Sequence, residues 1–317
     1  MNRVTRLFNL SDEAGVLRAS IAATVLFSLL GICFGIISGS FSIVFDGVYS
    51  LVDACMSLLS LVVARLIAAA AAIKPVSKKL QERFSMGLWH LEPMVLCLNG
   101  TLLVSVATYA LFNAVGSILD GGRELEFGWA ILYTLITLIA CVVMASVEKR
   151  ANEKINSDFV ALDIKGWIMA GAITAALLMA FIFGYLVQGT RLEWLSPYID
   201  PVILAAVCVV IIPLPISTIR QALADIFLVT PADLKEHVDE VAKAFKEKHG
   251  LVSYRAYVAR MGRCREIEIY FIVPPDAPAR TIAEWDALRE EVGELIGDKG
   301  PDRWLTVVFT GDPEWAE

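Results

Sequence analysis

Six stretches of this chain are too long and too apolar for the helices of a water-soluble domain. They run through 15–38, 42–68, 92–118, 128–147, 164–187 and 199–219, and each exceeds the ~18 largely apolar residues that suggest a spanning helix. Lipid offers backbone groups no water, so a spanning segment must satisfy its own hydrogen bonds, as a helix does. The expectation is an α-helical membrane protein with six transmembrane helices. Composition agrees: 57% of the 317 residues are hydrophobic, and the mean hydropathy is +0.64. Residues 1–12 are polar and the first apolar run is longer than a signal-peptide core, so no cleavable leader is expected.

Basic residues set the orientation. Lys74, Lys78, Lys79 and Arg83 precede the third span, and Lys149, Arg150 and Lys154 lie between the fourth and fifth. The opposite loops offer only Arg123 and Arg191. Positive-inside counting predicts both termini in the cytoplasm, in a bacterial-type inner (plasma) membrane.

Within this apolar background the stretch FDGVYSLVD, residues 45–53, is out of place. Asp46 and Asp53 stand two helical turns apart with Tyr49 between them, so all three project from one face. A carboxylate at the centre of a spanning helix costs roughly 2.5–3.5 kcal/mol by insertion scales, which marks it as functional by default. Asp46 has two readings: a ligand or proton carrier, or a group that hydrogen-bonds within the bundle. Tyr49 either lends a phenol oxygen or packs and bonds to Asp53. Asp163, in the fifth span beside Lys165, is either a cation ligand or half of an ion pair. Trp167, one turn on, reads as packing. His90 and Glu92 are two apart at the start of span three, and one of them is expected to pair with Asp225. Five cysteines lie in spans and Cys264 in the tail, with no CxxC pair, so neither a zinc cage nor a disulfide framework is indicated. The net charge of −7 forms no basic patch, and no nucleic-acid partner is expected.

After Pro231 the sequence becomes that of an ordinary globular domain. ADLKEHVDEVAKAFKEKHG carries a helical stripe at 234, 238, 241, 242 and 245 and stops at Gly250. LVSYRAYVARMG and CREIEIYFIVP read as strands, the second alternating through Ile267, Ile269 and Phe271. TIAEWDALREEVGELIG opens with a capping box, Thr281 to Glu284, and has apolar residues at 282, 285, 288, 292 and 295. WLTVVFTG is the last strand. The αββαβ order predicts an α+β, ferredoxin-like C-terminal domain, small enough that a self-pairing face would help it. His249 is expected to serve the first tail helix's C-terminus.

Six spans, the SLVD segment of the second and an αββαβ tail together resemble the cation diffusion facilitator (cation efflux) family of divalent metal transporters. FDGVYSLVD looks like the family's second-span AD-x-x-H-S-L-x-D pattern through Asp46, Ser50, Leu51 and Asp53. FSMGLWHLEP resembles its aromatic-Pro-Phe-Gly-x-x-Lys-x-Glu-Pro segment, with Gly87, Glu92 and Pro93 matching and His90 in place of Lys. LADIF places Asp225 in the family's L-L-D stretch. TGDP resembles H-x-D-P, with Asp312 kept and Thr310 where His is common. The resemblance implies a transport domain over 1–225 and a cytoplasmic regulatory and dimerisation domain over 226–317. It implies export of a divalent cation in exchange for protons, by alternating access around spans two and five, in a homodimer. Asp53, Asp163, Asp46 and Tyr49 would be the metal-handling residues in the membrane, and His237 and Asp312 those of the tail. No cofactor is called for, since the metal is cargo. Zn²⁺, Mn²⁺, Fe²⁺ and Co²⁺ are not distinguished, although oxygen donors without imidazole or thiolate favour harder ions such as Mn²⁺ or Fe²⁺ over Zn²⁺.

The chain also departs from the pattern. Tyr49 stands where zinc-handling relatives have His or Asp, and Trp167 where span five supplies a second acid. These departures suggest an alternative, a non-transporting membrane metal-binding or regulatory subunit with a decayed ion site. An intramembrane aspartyl protease would need a GxGD segment, and no Gly precedes Asp163.

Overall fold

The computed structural model describes residues 13–71, 84, 87–155 and 158–317. The loop basics Lys74, Lys78, Lys79 and Arg83 lie outside the described residues. Helices α1 (Glu13–Ser38), α2 (Phe41–Ala71), α3 (Leu91–Leu119), α4 (Phe127–Ile155) and α5 (Asp158–Val187) are followed by a 3₁₀ turn at Glu193–Leu195. Then come α6 (Ser196–Ile211) and α7 (Ile216–Ile226). Among the described residues, six segments are long and apolar enough to cross a membrane: Gly15–Ser38, Phe41–Ile67, Leu91–Leu119, Phe127–Lys154, Asp163–Val187 and Glu193–Ile226. The chain is an integral membrane protein.

The sixth span is broken for a chemical reason. Pro213 and Pro215 lie in the turn between α6 and α7, where neither can donate a backbone N–H. Pro201 sits inside α6 and cannot bond to the carbonyl of Pro197, four residues earlier. That carbonyl is taken instead by Arg123 N at 2.8 Å.

The chain divides into two compact units, Met1–Leu58 with Asn99–Ile216 and Leu59–Leu98 with Ser217–Glu317. In the first, Ile43, Phe127, Ala130, Tyr133, Leu177 and Phe181 make one buried cluster. Phe45, Ala107, Ala110, Ala114, Leu204 and Cys208 make another. Small residues let helices approach where hydrophobic burial cannot drive them together. A Cβ on Gly47 would fall 2.7 Å from the Ser28 carbonyl oxygen, so α1 and α2 meet backbone to backbone there. A Cβ on Gly171 of α5 would fall 3.3 Å from Cys141 Cβ of α4, which marks the crossing of that pair.

The second unit contains the tail: α8 (Ala232–His249), β1 (Ser253–Met261), β2 (Cys264–Ile272), α9 (Ile282–Ile296), β3 (Arg303–Thr310) and a final turn, Pro313–Ala316. The sheet order is β1-β2-β3. β1 and β2 are antiparallel from Ser253↔Ile272 to Met261↔Cys264, and β3 runs parallel to β2 from Arg265↔Arg303. Ile267, Ile269 and Phe271 alternate onto the face that packs on Val238, Ala242 and Phe245 of α8 and on Leu288, Val292 and Ile296 of α9. Both expected caps form: Gly250 is left-handed at φ 66°, and Thr281 and Glu284 make the capping box. The α9 stripe differs at its ends, because Ile282 is 78% and Leu295 50% exposed. The i, i+4 steps 288, 292 and 296 hold the buried face, and residue 295 turns off it. The expected αββαβ order is present in a mixed three-stranded sheet, whereas a complete ferredoxin-like unit has four strands.

Candidate functional site

The face of α2 that carries Asp46, Tyr49 and Asp53 is positioned from its N-terminus. Ser40 Oγ accepts from Ile43 N at 3.2 Å. Asp200 of α6, only 2% exposed, accepts from Ser40 Oγ at 2.5 Å and from Phe41 N at 3.1 Å. Ser42 Oγ donates to the Asp200 carbonyl at 3.0 Å. Asp200 therefore supplies, from another helix, the acceptors and negative charge that a helix start needs. It is buried and fully engaged.

Below this cap the three sequence-predicted residues diverge. Asp46 lies where its charge acts on Tyr133 and Cys141 of α4. Tyr49 packs on Phe45 with ring centroids 5.5 Å apart and joins the α3–α6 cluster. Asp53 is exposed on the helix surface, interacts with Tyr49 and is reached by the Asn99 side chain of α3. Asn99 keeps its buried Oδ1 without a partner.

Asp163 of α5 is half-buried, with Oδ2 enclosed and unpartnered. The acid it faces is Glu148 of α4, which interacts with Asp163, Ser20 and Trp167. Glu148 is 1% exposed, and neither of its oxygens makes a hydrogen bond of standard geometry. Trp167 packs as expected and also donates from Nε1 to Ser20 Oγ at 2.9 Å. Among the described residues, Asp46, Asp53, Asp163 and Glu148 have no Lys, Arg or His partner. The ion pair with Lys165 weighed for Asp163 is not formed. Nor do three or more His, Cys, Asp or Glu side chains gather at one point among the described residues.

In the second unit the expected pairing of His90 or Glu92 with Asp225 gives way to two arginines from β1 and the β1–β2 turn. Glu92 binds Arg263, with Nε to Oε2 at 2.8 Å and Nη2 to Oε1 at 3.2 Å. Asp225 binds Arg260 Nε at 3.1 Å. His90 stacks on Phe84 at 5.9 Å. Gly262 makes the turn at φ +61°, and a Cβ there would sit 3.0 Å from Glu92 Oε2. His249 bonds to Glu291 at 3.2 Å and packs on Phe245, tying α8 to α9.

His237 and Asp312 have structural partners. His237 Nε2 meets the Ile296 carbonyl at 3.1 Å and lines a cavity of about 240 Å³ with Asp233, Arg260 and Arg265. Asp312 caps the final turn, its Oδ1 accepting from Glu314 N at 3.0 Å. Burial pushes the Cys264 thiol up to about 11, so it is an inert core group.

Sequence reasoning missed Glu148, Asp200, Asn99 and Ser20. Glu148 stands just before Lys149 and Arg150 and reads as part of the charged end of span four. Its signal is helical spacing, since 141, 145 and 148 share a face with a residue that touches span five.

Residues 17–227 match the family model of the cation efflux transmembrane domain. A comparison with curated protein sequences finds no match.

Proposed function

The chain belongs to the cation efflux family, whose members are membrane transporters of metal cations and not enzymes, and from that premise we propose that it exports a divalent cation from the cytoplasm in exchange for protons. Both termini face the cytoplasm in this reading. Asp53 and Asp163, on spans two and five, carry the ion, with Asp46 and Tyr49 beside its path. Ionised carboxylates bind the cation, and protons entering from the far side displace it as the spans alternate their access. The observation that supports this is the set of acids at membrane depth without a cationic partner among the described residues. Such groups persist when a passing ion or proton uses them.

The tail, residues 226–317, is the regulatory and dimerising domain in this proposal, built on ferredoxin-like lines, with His237 and Asp312 as its candidate metal contacts. The open sheet face, where Tyr257 is 47% and Trp304 37% exposed, is the surface on which two copies meet. A second reading, a non-transporting metal-binding or regulatory subunit, is favoured by Trp167 being engaged with Ser20 where a ligand would be needed.

Flux separates the two. Full-length protein in vesicles with an imposed pH gradient should take up at least one of Mn²⁺, Fe²⁺, Co²⁺, Zn²⁺ and Cd²⁺, and collapsing the gradient should slow uptake. Uptake no faster than in empty vesicles across the series would support the non-transporting subunit.

A further inference from the structure

The pair Glu148 and Asp163 does more than the second- and fifth-span reading requires. Spans four and five are antiparallel neighbours that cross closely at Cys141 and Gly171. Seven residues along α4 from Cys141 is Glu148, about 10.5 Å on. Eight residues back along α5 from Gly171 is Asp163, about 12 Å in the same direction. The packing register therefore brings one acid from each helix to the same level.

Among the described residues no Lys, Arg or His pairs with either acid. Lys149 and Arg150 are exposed and lie about 100° and 200° around α4 from Glu148. Lys165 is exposed and about 200° from Asp163. Glu148 Oε1, Glu148 Oε2 and Asp163 Oδ2 are all enclosed and make no hydrogen bond of standard geometry, and Ser20 and Trp167 stand close enough to act on Glu148. Two like charges facing each other away from water are unfavourable unless something positive lies between them. One shared proton would leave the two acids with a net negative charge, whereas a divalent cation balances both carboxylates. Ser20, 3% exposed, has its oxygen fixed by the Trp167 indole, which places one more oxygen at the edge of the pair.

We infer that Glu148 and Asp163 are the two carboxylate ligands of one divalent cation held between spans four and five, beside the Ser20 hydroxyl. The donor set is all oxygen and anionic, which suits hard ions of the Mn²⁺ class. The inference rests on the reading of the chain as a divalent-cation carrier and deepens it. It adds a ligand from span four and gives Asp163 its neighbour.

The test is equilibrium binding of Mn²⁺, with Zn²⁺ in parallel, to the purified full-length protein in detergent, scored as bound metal per chain. Glu148→Gln keeps the volume and removes the charge. It should weaken Mn²⁺ binding at least tenfold, with an unchanged elution profile. Glu148→Asp keeps the charge and shortens the reach, and should fall between wild type and Glu148→Gln. If Glu148→Gln does not yield folded protein, Glu148→Asp decides alone: affinity equal to wild type overturns the site. Wild-type stoichiometry and affinity in Glu148→Gln overturn it too, as does a wild-type protein that binds neither ion. Vesicle flux separates this failure from that of the carrier reading. A transporting wild type with a silent Glu148→Gln sinks the site alone. Binding lost in Glu148→Gln from a protein that moves no metal sinks the carrier reading and leaves the site.

Discussion

Around Asp200, where α6 meets the start of α2, every oxygen of the buried carboxylate has work to do: the Ser40 hydroxyl and the backbone N–H groups of Phe41 and Ser42 converge on it. Around Glu148, where α4 meets α5, a carboxylate just as deeply buried, 1% against 2% exposed, has no standard hydrogen bond at all. Burial alone does not separate structural from functional acids in a membrane bundle. Satisfaction does. An acid whose acceptors are filled by the protein holds helices together, and one whose acceptors are left open is kept for something that arrives.

The sharpest way to break this contrast is to remove the satisfied acid. Asp200→Ala leaves the Ser40 hydroxyl and the α2 N-terminal amides without their acceptor, and should destabilise the protein by ~3 kcal/mol. Thermal unfolding in detergent reads this, and Asp200→Asn should recover part of the loss because the amide oxygen still accepts. Trp167→Phe removes the donor to Ser20 and should lower stability by about 1 kcal/mol in the same measurement. Glu148→Gln should differ in sign: without metal it relieves a repulsion, so the unfolding midpoint should stay level or rise slightly. A fall as large as that of Asp200→Ala would show that Glu148 is a structural acid and erase the distinction.

The smallest effect lies in the tail, where acids are satisfied at the surface. Hydrogen bonds from Lys248 and His249 hold Glu291 below the usual carboxylate range. A carboxyl whose folded value is depressed contributes stability above its unfolded value, about 4.3, and loses it as pH falls through the folded one. Scanning calorimetry between pH 7 and pH 3 should show this loss, and Glu291→Gln should flatten it.

The sequence made the six spans readable because length and apolarity suffice for a lipid-crossing helix, and the tail readable because strand alternation at 267, 269 and 271 and the caps at Gly250 and Thr281 are local signals. The partners were not readable. Glu92 and Asp225 are bound by Arg263 and Arg260, residues that only the β1–β2 hairpin brings to them, so no spacing rule along one helix could find the pairs. Asp200, at the start of the sixth span next to Pro201, carries no local signal, and its role as a cap for α2 depends on a contact across more than 150 positions. Glu148 hid at the charged end of its span. Asp53 and Asp163 stood out because they are carboxylates in apolar runs, yet the acid that faces Asp163 emerges only from the crossing at Gly171.

Asp163 belongs both to the proposed ion path and to the pair with Glu148, so its charge is the point on which the account turns. Metal uptake driven by a pH gradient, compared between wild type and Asp163→Asn in vesicles at equal protein, is the most direct test. The carboxamide keeps the side chain's size but neither exchanges a proton nor holds a divalent cation strongly. At least a tenfold loss of flux is expected, with normal incorporation into the vesicles. Wild-type flux in Asp163→Asn would show that the buried acids between spans four and five do not carry the ion.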